Sequence, residues 1–270
     1  MNRASEEDLA GNLAVAVEIA DLCDAVTLPM FTSRAFDVEH KLDRSEVTEA
    51  DREAERRAVE RLATARPGHA VLGEEHGEQG AAGSPWRWIL DPIDGTSGFV
   101  RGIPVWGSLI ALEHETIGLC VAVISAPALG RRWWATLGGG AFADGRRCRV
   151  STVDTLAKAQ VNLTINDGWD ALGHTGALVQ IGLDARRSRG VGDFWQHCLV
   201  AEGAMDVAID AVGLAPYDIA APRLLVTEAG GRLTDHLGRE SHAGPSAISS
   251  NGILHDEILR RLGAPVPYPG

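Results

Sequence analysis

Asp91-Pro92-Ile93-Asp94-Gly95-Thr96 follows directly on the apolar run Trp88-Ile89-Leu90. The run reads as a short buried strand. The strand then delivers two carboxylates to its C-terminal edge, at positions i and i+3. Pro92 fixes the backbone between them, and Gly95 lets the chain turn sharply beside a ligand. Two carboxylates this close repel unless a cation lies between them. Hard divalent cations, Mg²⁺ above all, take oxygen ligands of this kind and leave room for water and phosphate. Gly95 and Thr96 add backbone N–H groups and a hydroxyl, which together with a metal make a place for phosphate.

Two further acidic stretches suit the same site. Val71-Leu72-Gly73-Glu74-Glu75 reads as an apolar strand ending in Gly and two Glu. Asp218, in Tyr217-Asp218-Ile219-Ala220-Ala221-Pro222, is placed like the N-cap of a helix that closes at Gly230-Gly231. Three carboxylate-bearing element ends can thus converge on one cation cluster. Taken singly, each has a plainer reading. Asp before Gly is common in turns, Asp218 serves equally as a cap, and Glu74-Glu75 serves equally as a solvated pair.

Composition narrows the function classes. The chain has 270 residues, 45% hydrophobic and 23% charged, as in an ordinary globular protein. With 25 Lys+Arg against 37 Asp+Glu, the net charge of −12 argues against a nucleic acid or an anionic membrane as the main partner. The cysteines, Cys23, Cys120, Cys148 and Cys198, lie far apart and make no metal spacing, which fits a reducing cytoplasm. Met1 to Asp8 lacks the basic-then-apolar order of a signal peptide, and no run reaches membrane-span length. The nine histidines show no catalytic spacing, and none is assigned a role.

Periodicity predicts a helix over Leu9–Leu28, capped by Ser5 to Asp8 and ended by Pro29, and a second over Thr48–Thr64. Strands are expected at Ala70–Glu74 and Trp88–Leu90, with a mobile loop from Gly77 to Pro85 between them. Val105–His114 and Ile117–Ser125 read as a hairpin, extended by Arg131–Ala135, Ala141–Phe142 and Arg146–Val150. Gln160–Thr164, Met205–Ile209, Arg232–Thr234 and Ala247–Ser249 read as strands. Asp170–Gly182, Asp193–Glu202, Asp218–Ala229 and His255–Arg261 read as helices. The class is therefore α/β (α+β), with layered alternating helices and sheets. Residues 1–270 read as one domain that admits sub-domains at about 1–150 and 151–270, with 264–270 as a loose tail.

Four motifs in order carry a family resemblance: Val47-Thr48-Glu49-Ala50-Asp51, Gly73-Glu74-Glu75, Asp91 to Thr96, and Asp218-Ile219-Ala220-Ala221 with Glu228-Ala229-Gly230-Gly231. The chain resembles the inositol monophosphatase superfamily of Mg²⁺-dependent phosphatases. Within it, three stretches look most like the bacterial histidinol-phosphatase branch: Val100 to Trp106, Ser125 to Ala128 with Arg132 to Ala135, and Gly192-Asp193-Phe194 leading to Cys198 to Gly203. The resemblance implies a sandwich of helices and sheets, a homodimer, and hydrolysis of a small phosphate ester, L-histidinol phosphate first. Inositol, sugar, cyclitol or nucleotide phosphates are the alternatives. A binding protein that keeps the metal site without turnover is the remote one.

By the same resemblance, one Mg²⁺ is held by Glu74, Asp91 and the Ile93 carbonyl, and a second by Asp91, Asp94 and Asp218. A third leans on Glu74. Thr96 and Asp51 match the hydroxyl–carboxylate pair that aligns the attacking water, so no covalent nucleophile is needed. The chain departs from the pattern at the substrate rim. Ser97-Gly98 follow Asp-Gly-Thr, Tyr217 stands where Trp is usual, and Asp210 is the nearest carboxylate to a substrate-contacting Glu. Ser97, Gly98, Asp193 and Asp210 are the rim candidates. Asp193 and Asp210 suit a cationic amine, and hydroxyls equally.

Overall fold

The computed structural model describes residues 3–40 and 46–263, which form two compact units, Met1–Gly139 and Gly140–Gly270. In the first unit the order is α1 (Arg3–Ser33), β1 (Val38–His40), β2 (Glu46–Thr48), α2 (Glu49–Ala65), β3 (Ala70–Gly73), β4 (Gly77–Gly80), β5 (Trp86–Asp94), α3 (Thr96–Arg101), β6 (Gly107–His114), β7 (Gly118–Ala126) and β8 (Arg131–Thr136). Its main sheet runs β8-β7-β6-β5-β3-β4. β3 is parallel to β5, and the other neighbouring pairs are antiparallel. One face is covered by α1 and α2. Ile19, Ala54 and Leu62 pack there on Trp88, Leu112 and Val123, all buried.

β5 positions the site. It continues past the expected end at Leu90 to Asp94, because β6 still pairs with it. Asp91 lies opposite Leu109 and Asp94 opposite Gly107, with a break in register between them. Pro92 has no N–H to give the ladder, so a bulge falls there. Its carbonyl is taken instead by the Ser108 hydroxyl at 2.7 Å.

Three other expectations change in this unit. The segment expected to be a loop from Gly77 begins as β4, paired with β3 from Gly73↔Gly77 to Ala70↔Gly80. Pro29 does not end α1, which runs on to Ser33. Pro29 and Ala25 both lie on the exposed side of the helix, where a carbonyl that loses its partner to proline costs least. The helix also starts at Arg3, so Ser5 to Asp8 lie within it and not before it. α2 runs one residue on from its expected span, because Thr48 is its N-cap.

The second unit runs β9 (Gly140–Ala143), β10 (Arg146–Arg147), β11 (Gln160–Leu163), α4 (Asp167–Ala171), α5 (Thr175–Asp184), β12 (Arg187–Arg189), α6 (Asp193–Ala201), β13 (Val207–Val212), α7 (Pro216–Glu228), β14 (Arg232–Thr234), β15 (Ser246–Ser250) and α8 (His255–Arg261). Its sheet has the order β12-β11-β13-β15-β14, with β11 parallel to both neighbours and the rest antiparallel. Val161, Ile209 and Ile248 from this sheet pack with Leu178, Ile181 and Ile258 from α5 and α8. The single helix expected over Asp170–Gly182 is two, because Gly173 at φ +75° ends the first. The expected tail, 264–270, lies outside the described residues.

His255 makes the second unit sensitive to acid. Burial pushes its pKa down to about 4, with the Arg232 charge adding to the effect. The Thr234 hydroxyl donates to the Asp235 carbonyl, so it accepts from His255 Nε2 at 2.9 Å. Ser250 then donates to Nδ1 at 2.8 Å, and the ring is satisfied as neutral imidazole. Because the folded pKa lies below the unfolded value of about 6.5, its contribution is full above pH 6.5 and is lost as pH falls toward 4. Between pH 7 and pH 5 the loss is about 2 kcal/mol. Urea unfolding at both pH values should show it, and His255→Asn should remove that part of the slope. An equal slope in the variant rejects the assignment.

Candidate active site

The first unit holds most of the expected residues. Asp91 is buried, and its Oδ1 accepts the Ile93 N–H at 2.9 Å, fixing the carboxylate against its own chain. The Ile93 side chain is buried with Ala50, Phe99 and Trp106, which leaves its carbonyl as the polar group it offers. That carbonyl accepts the Thr96 hydroxyl at 2.9 Å. A carbonyl has two lone pairs, so one remains for a cation. Gly95 sits at φ +86°, the left-handed region that permits the turn into α3.

Asp51 occupies the third position of α2. Its Oδ2 accepts both the N–H and the hydroxyl of the cap residue Thr48, at 2.8 and 2.6 Å. Its Oδ1 lies 3.3 Å from the Thr96 hydroxyl. Burial pushes the Asp51 carboxyl up to about 7, partly offset by the bonds from Thr48, and the charges of Glu74 and Glu75 push the same way. Glu74 stands in the three-residue connection between β3 and β4, with its N–H on the Leu90 carbonyl at 3.2 Å. Glu75 is as half-buried as Glu74.

Of the rim candidates here, Ser97 is engaged by Arg101, which also pairs with Glu46 at 2.9 Å. Gly98 answers to packing. A Cβ there would stand 3.0 Å from the Val105 carbonyl.

In the second unit Asp218 is at the third position of α7 and not at its cap. The cap is Ala215, whose N–H donates to Asp218 Oδ2 at 2.6 Å. Pro216 takes the first helical position, which moves the helix start ahead of Asp218. Asp193 opens α6 at φ +50°, a left-handed conformation rare for a residue with a side chain. Its carboxyl is pushed up to about 6, by burial first and then by the charge of Asp210. Asp210 is itself buried on β13, where its Oδ2 accepts from His197 Nε2 at 3.0 Å and its Oδ1 from the Ala211 N–H at 2.8 Å. His197 Nδ1 meets the Ser249 hydroxyl at 2.8 Å.

Sequence reasoning missed His197, Ser249 and Arg34. His197 follows Asp193 by four residues on one helix face, the spacing that could have pointed to it. Arg34, itself at φ +59°, donates to the Phe99 and Val100 carbonyls and pins the last turn of α3. All four cysteines are buried, and burial pushes Cys23 up to about 12 and Cys120 up to about 11, so neither of these two supplies a thiolate.

Comparison with known proteins places this arrangement. The profile of the inositol monophosphatase family matches residues 8–263. The chain belongs to the inositol monophosphatase family. The histidinol-phosphatase of Mycobacterium tuberculosis is 44% identical over 258 residues, covering 94% of this chain and 98% of that protein. The histidinol-phosphatase of Streptomyces coelicolor is 41% identical over 263 residues, with 94% and 98% covered. Among solved structures, the extragenic suppressor protein SuhB of Bartonella henselae superposes with a TM-score of 0.86 at 29% identity, covering 94% of this chain and 98% of that one. The protein is thus a phosphoric monoester hydrolase of the inositol monophosphatase fold. No helix among the described residues is long and apolar enough to cross a membrane.

Proposed function

We propose that this protein hydrolyses L-histidinol phosphate to L-histidinol and phosphate, using Mg²⁺, as a cytoplasmic homodimeric enzyme of histidine biosynthesis. The observation that carries the substrate is the pair Asp193 and Asp210. Burial first, and then the charge of Asp210, raise the pKa of Asp193, which is held there at φ +50°. Such a pair favours a cation, and the ammonium of histidinol is one.

The donors in Asp91-Pro92-Ile93-Asp94 are all oxygen, two carboxylates and a peptide carbonyl, which fits Mg²⁺ and not the nitrogen and sulfur preferences of Zn²⁺. Glu74, Asp91, Asp94, Asp218 and the Ile93 carbonyl are the proposed ligands for two ions, with a third leaning on Glu74. Bound Mg²⁺ supplies Lewis acidity toward the phosphate and acidifies the attacking water. The chain does the rest. Gly95 and Thr96 offer donors to phosphate oxygens. Thr96 orients the water through its hydroxyl. Asp51, whose Oδ1 lies 3.3 Å from the Thr96 hydroxyl, is placed to take up the proton.

Phosphate release over a panel of about twenty esters tests the reading. The expected result is a kcat/KM for histidinol phosphate at least ~10-fold above inositol 1-phosphate and above neutral sugar phosphates, the discrimination one charge-assisted bond supplies. A preference for an uncharged ester transfers the assignment to another branch of the family.

A further inference from the structure

None of the roles above uses Glu55, four residues after Asp51 on α2. Its side chain is fully buried. A carboxylate is unfavourable in such a place unless hydrogen bonds compensate it. Here the compensation comes from the segment that carries Glu74. Glu55 Oε2 accepts the Glu75 N–H at 2.8 Å, and Oε1 accepts the His76 N–H at 2.9 Å. His76 Nδ1 adds a contact to Oε1 at 2.8 Å. On the other side of Glu74 stands Gly73. A Cβ there would lie 2.4 Å from Glu55 Cδ and 2.4 Å from Oε1, so only glycine admits the carboxylate. Gly73 is required by this approach and not by its backbone angles. Glu74 is therefore held from both sides, with Gly73 packed on the carboxylate and the two following N–H groups bonded to it. An apolar residue at 55 could fill the space but could not aim those N–H groups.

We propose that Glu55 is a positioning residue for the cation site, fixing the turn over residues 73–76 so that Glu74 is ready to receive the metal. The proposal rests on the reading of Glu74 as a ligand. A group that orients a metal ligand acts on metal affinity more than on the chemical step, and its loss typically weakens binding ~10- to 100-fold. Glu55→Gln keeps the volume but sets an NH₂ against the N–H donors of the turn.

The test is Mn²⁺ titration of folded protein by calorimetry, alongside the Mg²⁺ dependence of the rate. Glu55→Gln is expected to weaken Mn²⁺ binding ~10- to 100-fold and raise the half-saturating Mg²⁺ by the same factor, with kcat at saturating Mg²⁺ within about threefold. Gly73→Ala should act in the same direction. His76→Ala removes only the ring contact and leaves both backbone donors, so its binding should stay within about twofold. Glu74→Gln separates the two levels of the argument. If it weakens Mn²⁺ binding and folded Glu55→Gln does not, the positioning role is overturned and the ligand reading stands. If Glu74→Gln has no effect, both fall. Glu55→Asp keeps the charge, withdraws the carboxylate by one methylene, and is judged by the same criterion if Glu55→Gln does not fold.

Discussion

Replacing Asp94 or Asp218 by asparagine is expected to lower kcat at least ~10²-fold while the protein stays folded. The proposed second cation draws its charge compensation from Asp91, Asp94 and Asp218, and an amide removes one negative charge from three. What remains is an oxygen of weaker field that also presents an NH₂ toward the ion. The scaffold has little reason to fail. Asp94 ends β5 beside a break in register, where no ladder bond depends on its side chain. Asp218 takes the Ala215 N–H through a carboxylate oxygen, and the asparagine oxygen can accept the same bond. The helix end should lose at most ~1 kcal/mol from the missing charge in its first turn. Circular dichroism and steady-state rates over a range of Mg²⁺ decide the matter. A near-normal rate at saturating Mg²⁺ removes that residue from the ligand set. The same reading expects a chelator to abolish activity and Mg²⁺ to restore it. Full turnover in metal-stripped protein would end the metal-dependent mechanism.

Asp193→Asn should cut kcat/KM on histidinol phosphate roughly 10- to 150-fold and leave a neutral sugar phosphate nearly unchanged. A charge-assisted bond from a desolvated carboxylate to an ammonium contributes roughly 1.5–3 kcal/mol, and each 1.4 kcal/mol is about tenfold. Asp193 is the cleaner probe. Asp210 is already bonded to His197 and Ala211, so Asp210→Asn also sets an NH₂ against the His197 donor or turns its oxygen to keep it. Both variants should nevertheless discriminate in the same direction. Equal losses on the amine and the neutral substrate would show that the pair supports the fold of β13 and α6 and does not read the substrate.

The Asp91–Thr96 turn was legible because its residue types have few alternative uses in that order. Strand and helix types followed largely from periodicity, β14 and α8 span the residues expected of them, and α2 lies one residue on from its expected place because Thr48 caps it. What escaped was set by partners distant in sequence. β4 is Gly-Glu-Gln-Gly, with no strand propensity of its own, and exists because β3 offers it a ladder. β5 outruns its apolar core because β6 continues beside it. His197 draws its surroundings from β13 and from Ser249, 52 residues away. Glu55 hides in a helix crowded with Glu and Arg. Glu53 and Glu60 on that helix pair with Arg56, an exposed residue, while Glu55 is buried. Ala50, Ala54, Ala58 and Leu62 trace the buried face, and Asp51 and Glu55 each adjoin it by one residue. That stripe was readable, and it marks both carboxylates as inward.

Asp51 divides its two oxygens between unrelated duties, one closing the first turn of α2 and the other facing Thr96. Mutational tolerance at this codon is therefore the intersection of two sets. Glutamate or glutamine at the third helical position can serve a capping box, so a screen for folded protein should accept them. A screen for turnover should reject the same substitutions, since a side chain longer by one methylene cannot keep both contacts. Drift at this position is therefore expected to be limited by the overlap and not by either demand alone, and variants there should pass for well-folded proteins that have fallen silent.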